Sequence, residues 1–274
     1  MYNEVKKHFY KPYGYLRVGY RRITSFLRPM PDFVVIGAQK SGTTTLYEWI
    51  CKHEAIKRSI YKEVHYFERN KKYLKKKEKR WYKSHFPIKI DSKKTGEATP
   101  IYMFKKEVPR RLKETIPNAK LIAILRKPTE RAYSHYHHTR RTKGDERSFE
   151  NAVEEEIRVI EKSNNKDIFN LEYEYDNYVA RGYYYQQLKK WLKFFPMKQI
   201  KVLKSEKLFE KPEFVMGKVF SHIGLEKINE SYENKYNQGK YKTRMKKRTK
   251  ERLESHYEGR NEKLYELIGE EFDW

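Results

Sequence analysis

The sequence predicts an α/β fold: a single domain with a central, mostly parallel sheet flanked by helices and a P-loop-like anion loop leaving the first strand. Three observations carry it. Short apolar runs recur at 33–36 and 121–125, with a third, interrupted by Lys201, at 199–203, as expected of buried strands. Stretches with helical apolar spacing alternate with them, the pattern of a covered parallel sheet. The first run closes on a glycine-spaced turn that opens a helix.

The elements follow in order. Residues 1–30 carry Lys6, Lys7, Lys11, Arg17, Arg21, Arg22 and Arg28 among five tyrosines, with no settled period, and end in Pro29-Met30-Pro31. They form a basic N-terminal arm, either a solvated tail or a surface segment in peripheral contact with anionic lipid. Phe33-Val34-Val35-Ile36 is the first strand, closed by Gly37. Leu46-Tyr47-Glu48-Trp49-Ile50 continues as helix. Arg69 to Lys83 is a lysine run read as loop or irregular helix. Lys120 to Leu125 is the second strand, stopped by Arg126-Lys127-Pro128 before a helix from Thr129 to Arg141. A charged helix begins at Ser148-Phe149, a further helix covers Tyr183 to Phe195, and Gln199 to Leu203 is the third strand. The tail from Thr249 is a helix ending in Phe272-Asp273-Trp274, an aromatic pair expected on the core. Trp49 and Trp191 are expected there too. No internal repeat or low-complexity linker divides the 274 residues, so 31–274 is read as one domain.

Sixty-two lysines and arginines against 37 acidic residues give a net charge of +25 and an isoelectric point near 9.7, so the partner sought is an anion. Nucleic acid is the first to consider, because phosphate neutralisation drives non-specific binding; charge alone argues association rather than fold. Cys51 is the sole cysteine, which excludes an intrachain disulfide and a cysteine-rich zinc site. His135, His137 and His138 lack a carboxylate or cysteine at coordinating spacing, so no metal is expected. A mean hydropathy of −1.04 leaves no run near the roughly 20 apolar residues of a membrane span, and the first residues lack a leader's apolar stretch. The expectation is a cytoplasmic protein.

Gly37-Ala38-Gln39-Lys40-Ser41-Gly42-Thr43-Thr44 has the glycine spacing of a nucleotide-triphosphate loop, yet Thr43 stands where that motif needs lysine. A strand-to-helix turn of this kind still aims backbone N–H groups and a positive helix end at one spot. Lys40 adds a full charge, and Ser41, Thr43, Thr44 and Thr45 add hydroxyls.

These residues resemble the sulfotransferases that use 3′-phosphoadenosine-5′-phosphosulfate (PAPS), particularly the glycosaminoglycan type and related bacterial enzymes. Pro31 to Thr44 is similar to the family's 5′-phosphosulfate loop. Lys120 to Tyr136 is similar to its strand, loop and helix for the 3′-phosphate, whose binding pair falls on Arg126 and Ser134. Lys62-Glu63-Val64-His65-Tyr66-Phe67 resembles the segment carrying the catalytic base, and Gly96 to Tyr102 a further block. Gly182-Tyr183-Tyr184 through Pro196, and the terminal Phe272-Asp273-Trp274, also match. The resemblance implies PAPS as sulfuryl donor, 3′,5′-ADP as the product it leaves, no metal, and a hydroxyl or amine acceptor, a glycan foremost. It implies Glu63 as the base, Lys40 as the cation on the leaving group and His65 as an orienting group, with Glu97 the nearest further carboxylate. It also implies a basic loop over the nucleotide at Gly239, Lys240, Tyr241 and Lys242.

The chemistry suits the residues. PAPS carries two separated anionic clusters, so a binder needs two cradles; the fork of Arg126 and the Ser134 hydroxyl, about two helical turns on, serve one of them. Sulfuryl transfer needs a proton acceptor and fixed cations, by analogy with phosphoryl transfer. One departure stands out: several glycosaminoglycan enzymes place a lysine where this chain has Ala98. The alternatives are a P-loop kinase or NTPase, which Thr43 disfavours, and a nucleic-acid-binding protein, which rests on charge alone.

Overall fold

Phe33–Gly37 (β1) is buried at every position, because it lies inside the sheet with helices on both sides. Gly96–Ala98 (β2) pairs with it on one edge and Lys120–Leu125 (β3) on the other, with Ile200–Lys204 (β4) beyond β3. The order is β2-β1-β3-β4 and every pair is parallel. Parallel neighbours require crossovers, and helices supply them. The computed structural model describes residues 20–68, 76–163, 168–169, 177–234, 236 and 243–274.

Between β1 and β2 run Thr43–Ile50 (α1) and Lys76–Lys83 (α2); Val108–Thr115 (α3) leads into β3. Pro128–Lys143 (α4), Phe149–Lys162 (α5) and Tyr184–Leu192 (α6) separate β3 from β4. Ser205–Glu210 (α7), Pro212–His222 (α8) and Lys247–Ile268 (α9) follow.

Alternation along the strands sorts the core into two layers. Val34, Ile36, Leu121, Ala123 and Leu125 meet Leu112 of α3, Trp191 of α6, Leu264 of α9 and Phe272. Phe33, Val35, Ile122, Ile124 and Leu203 meet Leu46 and Trp49 of α1 and Val219 and Phe220 of α8. A third cluster joins α4, α5 and the turn at 178–183 to Leu253 and Tyr257 of α9. Trp49 and Trp191 are therefore core, as expected, and the Trp274 ring lies tilted against that of Tyr184 with centroids 5.8 Å apart.

The sequence reading missed β2, α3, α7 and α8. Gly-Glu-Ala carries no β-branched residue, so β2 exists because β1 offers it an edge. Its glycine is set by a close approach: a Cβ on Gly96 would lie 2.5 Å from the Phe33 ring. Gly96→Ala is expected to destabilise the fold by about 1–3 kcal/mol through overpacking, read as a lower denaturant midpoint with unchanged slope; an unchanged midpoint would show that the ring yields freely.

Of the arm at 1–30, residues 1–19 lie outside the described residues. The rest docks on the end of α2: Arg21 Nε donates to the Ser84 carbonyl at 2.6 Å and Arg28 Nη1 to that of Phe86 at 2.9 Å.

Candidate active site

Where β1 ends, the chain turns through Ala38 to Gly42 into α1. The Ala38 N–H donates to the Ile124 carbonyl of β3 at 2.7 Å, and Gly42 caps the helix with φ +87°, in the left-handed region that glycine favours. A cleft of about 850 Å³ opens in front of this turn, lined by Gln39, Lys40, Gly42, Thr43 and Thr44 of the loop, and by Lys62, Glu63, Arg126, Glu130, Ser134, His138 and Glu206. It lies at the carboxyl end of β1, where such sheets hold ligands.

The field inside is positive. Burial lowers the Lys40 ammonium below its usual range, and the nearby guanidiniums of Arg141, Arg126 and Arg131 push in the same direction, opposed by Glu63. Lys40 makes no ion pair among the described residues, so the positive charge here is only partly compensated, by Glu63 and by Glu130 beside Arg126. A bound dianion would relieve both the repulsion and the desolvation.

The strand-to-helix turn after β3 forms the second wall. The Tyr184 hydroxyl donates to the Arg126 carbonyl at 2.9 Å and the Lys127 N–H donates to Glu206 Oε1 at 3.0 Å, so two side chains fix this backbone. The Arg126 guanidinium approaches Glu130 only at 3.7 Å and is 31% exposed, free to turn toward a ligand. Ser134, on α4, lines the same cleft.

The third wall is the segment 62–68, held in place by three contacts. The Glu63 N–H donates to the Ala98 carbonyl at 3.0 Å, the Tyr66 N–H to the Tyr102 hydroxyl at 2.8 Å, and Arg111 Nη1 to the Phe67 carbonyl at 2.8 Å. Here the Glu63 carboxylate accepts from Lys62 Nζ at 2.6 Å and lies 3.5 Å from His65 Nε2. His65 Nδ1 bonds Glu68 on its other side. Burial would raise the Glu63 pKa, but hydrogen bonding from His65 and the Lys62 charge overcome it, pulling it down to about 2. Hydrogen bonds to Glu63 and Glu68 push His65 up to about 9. At neutral pH the shifts favour the imidazolium form of His65 beside the carboxylate form of Glu63.

Lys40, Glu63 and His65 share a further property: their φ values are +67°, +63° and +56°. Non-glycine residues pay a steric penalty in this region, and such strain gathers at functional sites.

The structure therefore brings together Lys40, Gly42, Thr43, Thr44, Glu63, Arg126 and Ser134 around one cleft, with His65 against Glu63. It turns Ser41 and Thr45 inward: Ser41 is fully buried, and Thr45 Oγ1 accepts the Tyr236 N–H at 3.0 Å. Glu97 is sealed, bonded by the Tyr82 hydroxyl at 2.5 Å and the Thr99 hydroxyl at 2.6 Å, with burial raising its pKa to about 7. Gly239 to Lys242 lie outside the described residues. Ala98 packs in the apolar layer beside Phe33 and Val35. Among the described residues no group of three His, Cys, Asp or Glu side chains is placed to hold a metal ion.

Several contributors were not singled out from sequence. Lys62 and Glu68 flank named residues, and the i, i+3 spacing of His65 and Glu68 was a usable signal. Arg181 gave none. It bonds Gln39 of the anion loop while its guanidinium lies 5.2 Å from the Phe104 ring centre, and its turn is anchored by buried Glu156, which accepts the Val179 and Ala180 N–H groups at 2.8 Å each.

Residues 30–267 match the model of the Sulfotransferase domain family. Membrane-associated sulfotransferase kil1 of Dictyostelium discoideum is 30% identical over 89% of this chain and 66% of its own length. Human heparan sulfate glucosamine 3-O-sulfotransferase 3B1 is 27% identical over 90% of this chain and 65% of its own. The chain thus spans just under two thirds of the length of these relatives. In fold it is similar to a sulfotransferase from Alicyclobacillus acidocaldarius, with a TM-score of 0.68 at 23% identity, covering 89% of this chain and 98% of that one. The relative named as membrane-associated overturns the cytoplasmic expectation. That expectation rested on hydropathy: no helix among the described residues is long and apolar enough to cross a membrane, and this does not decide where a protein resides.

Proposed function

Because the chain belongs to the Sulfotransferase domain family, we propose that it moves the sulfuryl group of PAPS to a hydroxyl or amine of an acceptor, with a glycan foremost, as in the relative named for heparan sulfate. The observation that supports this best is the positive cleft with two anion walls, Lys40–Thr44 and Arg126–Ser134, facing a carboxylate on the third. A kinase reading has no lysine after Gly42 to support it.

PAPS supplies the sulfuryl group when bound, and the chain's residues supply position and charge. The α1 N-terminus and Lys40 hold the phosphosulfate end; Arg126 and Ser134 hold the 3′-phosphate. Lys40 also stabilises charge that grows on the leaving oxygen. Glu63 accepts the acceptor proton at its carboxylate. In the free protein its basicity is suppressed by Lys62 and His65. Lys62 lines the same cleft, so an anionic donor gives its ammonium another partner and returns basicity to Glu63. His65, held by Glu68, keeps the carboxylate oriented.

Mass action provides the test. With both cradles in use, 3′,5′-ADP is expected to raise the melting temperature by several degrees at saturating concentration, and AMP, lacking the 3′-phosphate, much less. Equal stabilisation by the two nucleotides would reject the Arg126–Ser134 assignment.

A further inference from the structure

The helical turn leading to the first strand is amphipathic the wrong way round. Ser25 and Arg28 are buried, and Arg21 and Arg28 donate inward to the carbonyls of Ser84 and Phe86. The apolar side chains point outward: Tyr20, Ile23 and Phe26 are 69%, 77% and 75% exposed, and Leu27 joins them. The segment after α2 extends this face. Lys89 N–H donates to the Leu27 carbonyl at 2.9 Å, which sets Ile88 and Ile90, both about half exposed, beside the turn. Most of the exposed large apolar side chains among the described residues fall on these two segments.

A water-facing face of this kind is unfavourable unless something covers it. Charge names the class of cover. Within 20–30 and 79–94, Asp91 is the sole acidic residue and it already pairs with Lys89 at 3.0 Å. Arg22, Arg80, Lys83, Lys93 and Lys94 share these segments. Aromatic and aliphatic groups rimmed by cations match the boundary between headgroups and acyl chains of an anionic bilayer.

We propose that the face built by Tyr20–Leu27 and Ile88–Ile90 is a membrane-interfacial docking surface for anionic lipid. It lies on segments that enter the sheet at its amino-terminal edge, where the Asp32 N–H bonds the Thr95 carbonyl at 2.7 Å. The cleft opens at the carboxyl end of β1. Docking therefore leaves the cleft open to substrate.

Co-sedimentation of the full chain with phosphatidylcholine vesicles, with and without phosphatidylglycerol, tests this. The parent is expected to bind the mixed vesicles and to retain part of that binding at salt that screens exposed charges. Ile23→Ser/Phe26→Ser is expected to weaken binding by about tenfold or more, with an unchanged circular dichroism spectrum. Ile88→Ser/Ile90→Ser repeats the test on the second segment, and Phe214→Ser, exposed elsewhere, is expected to change nothing. Equal binding by parent and both double variants would overturn the proposal. So would a parent that binds neither vesicle, or one that self-associates through this face and becomes monomeric when Ile23 and Phe26 are replaced.

Discussion

Glu63→Gln is expected to lower turnover by about 10²-fold or more, because the amide keeps the shape of the carboxylate but cannot take the acceptor proton. The melting-temperature shift produced by 3′,5′-ADP should stay nearly unchanged, since Glu63 holds no part of the nucleotide. The same pair fixes the pH response. His65 is raised to about 9 and Glu63 lowered to about 2, so between these values the imidazolium–carboxylate pair persists. Raising pH through about 9 removes the proton that orients Glu63, and the rate should fall there. Lowering it toward 2 protonates the base itself. A fully active Glu63→Gln enzyme at saturating acceptor would remove Glu63 from the chemistry. Suspicion would then fall on His65 rather than Glu97, which Tyr82 and Thr99 seal away from the cleft.

Lys40→Ala is expected to fail differently, losing both binding and rate. A charge-assisted hydrogen bond contributes about 1.5–3 kcal/mol, so the 3′,5′-ADP dissociation constant should rise by roughly 10- to 100-fold, and kcat should fall as well because leaving-group charge goes unmet. The protein itself should become no less stable: its burial and its cationic neighbours already oppose the Lys40 charge. Intact binding with lost turnover would confine Lys40 to the transition state, and an unfolded variant would make it structural.

What could be read from the sequence followed from local rules. β1 and β3 announce themselves because they are buried on both faces and apolar almost throughout, and β4 because Ile200, Val202 and Leu203 recur between its lysines although it is only partly buried; the anion loop does so because its glycines and hydroxyls are contiguous. β2 could not be read, since Gly96-Glu97-Ala98 is a strand only through pairing with β1. The site divides in the same way. Lys40, Arg126 and Ser134 follow strand ends at fixed offsets, whereas Arg181 reaches Gln39 across 142 positions through a turn that Glu156 holds from α5. Long-range packing of that kind leaves no periodic trace. The inward Ser41 and Thr45 hydroxyls teach the converse: membership of a motif does not say which way a side chain points.

The left-handed conformations of Lys40, Glu63 and His65 bear on how this lineage can change. Each holds a side chain where glycine or asparagine would rest more easily, at a penalty of order 1 kcal/mol per position. Selection for turnover opposes that relief. In a duplicated copy released from such selection, that relief is largest at Lys40, whose charge burial and cationic neighbours already oppose, whereas Glu63 and His65 would each lose a pairing that offsets their strain. Glycine or asparagine at 40 is thus the expected signature of a descendant that keeps this fold and has lost the reaction. Installing glycine there should give a protein at least as stable as its parent that transfers little.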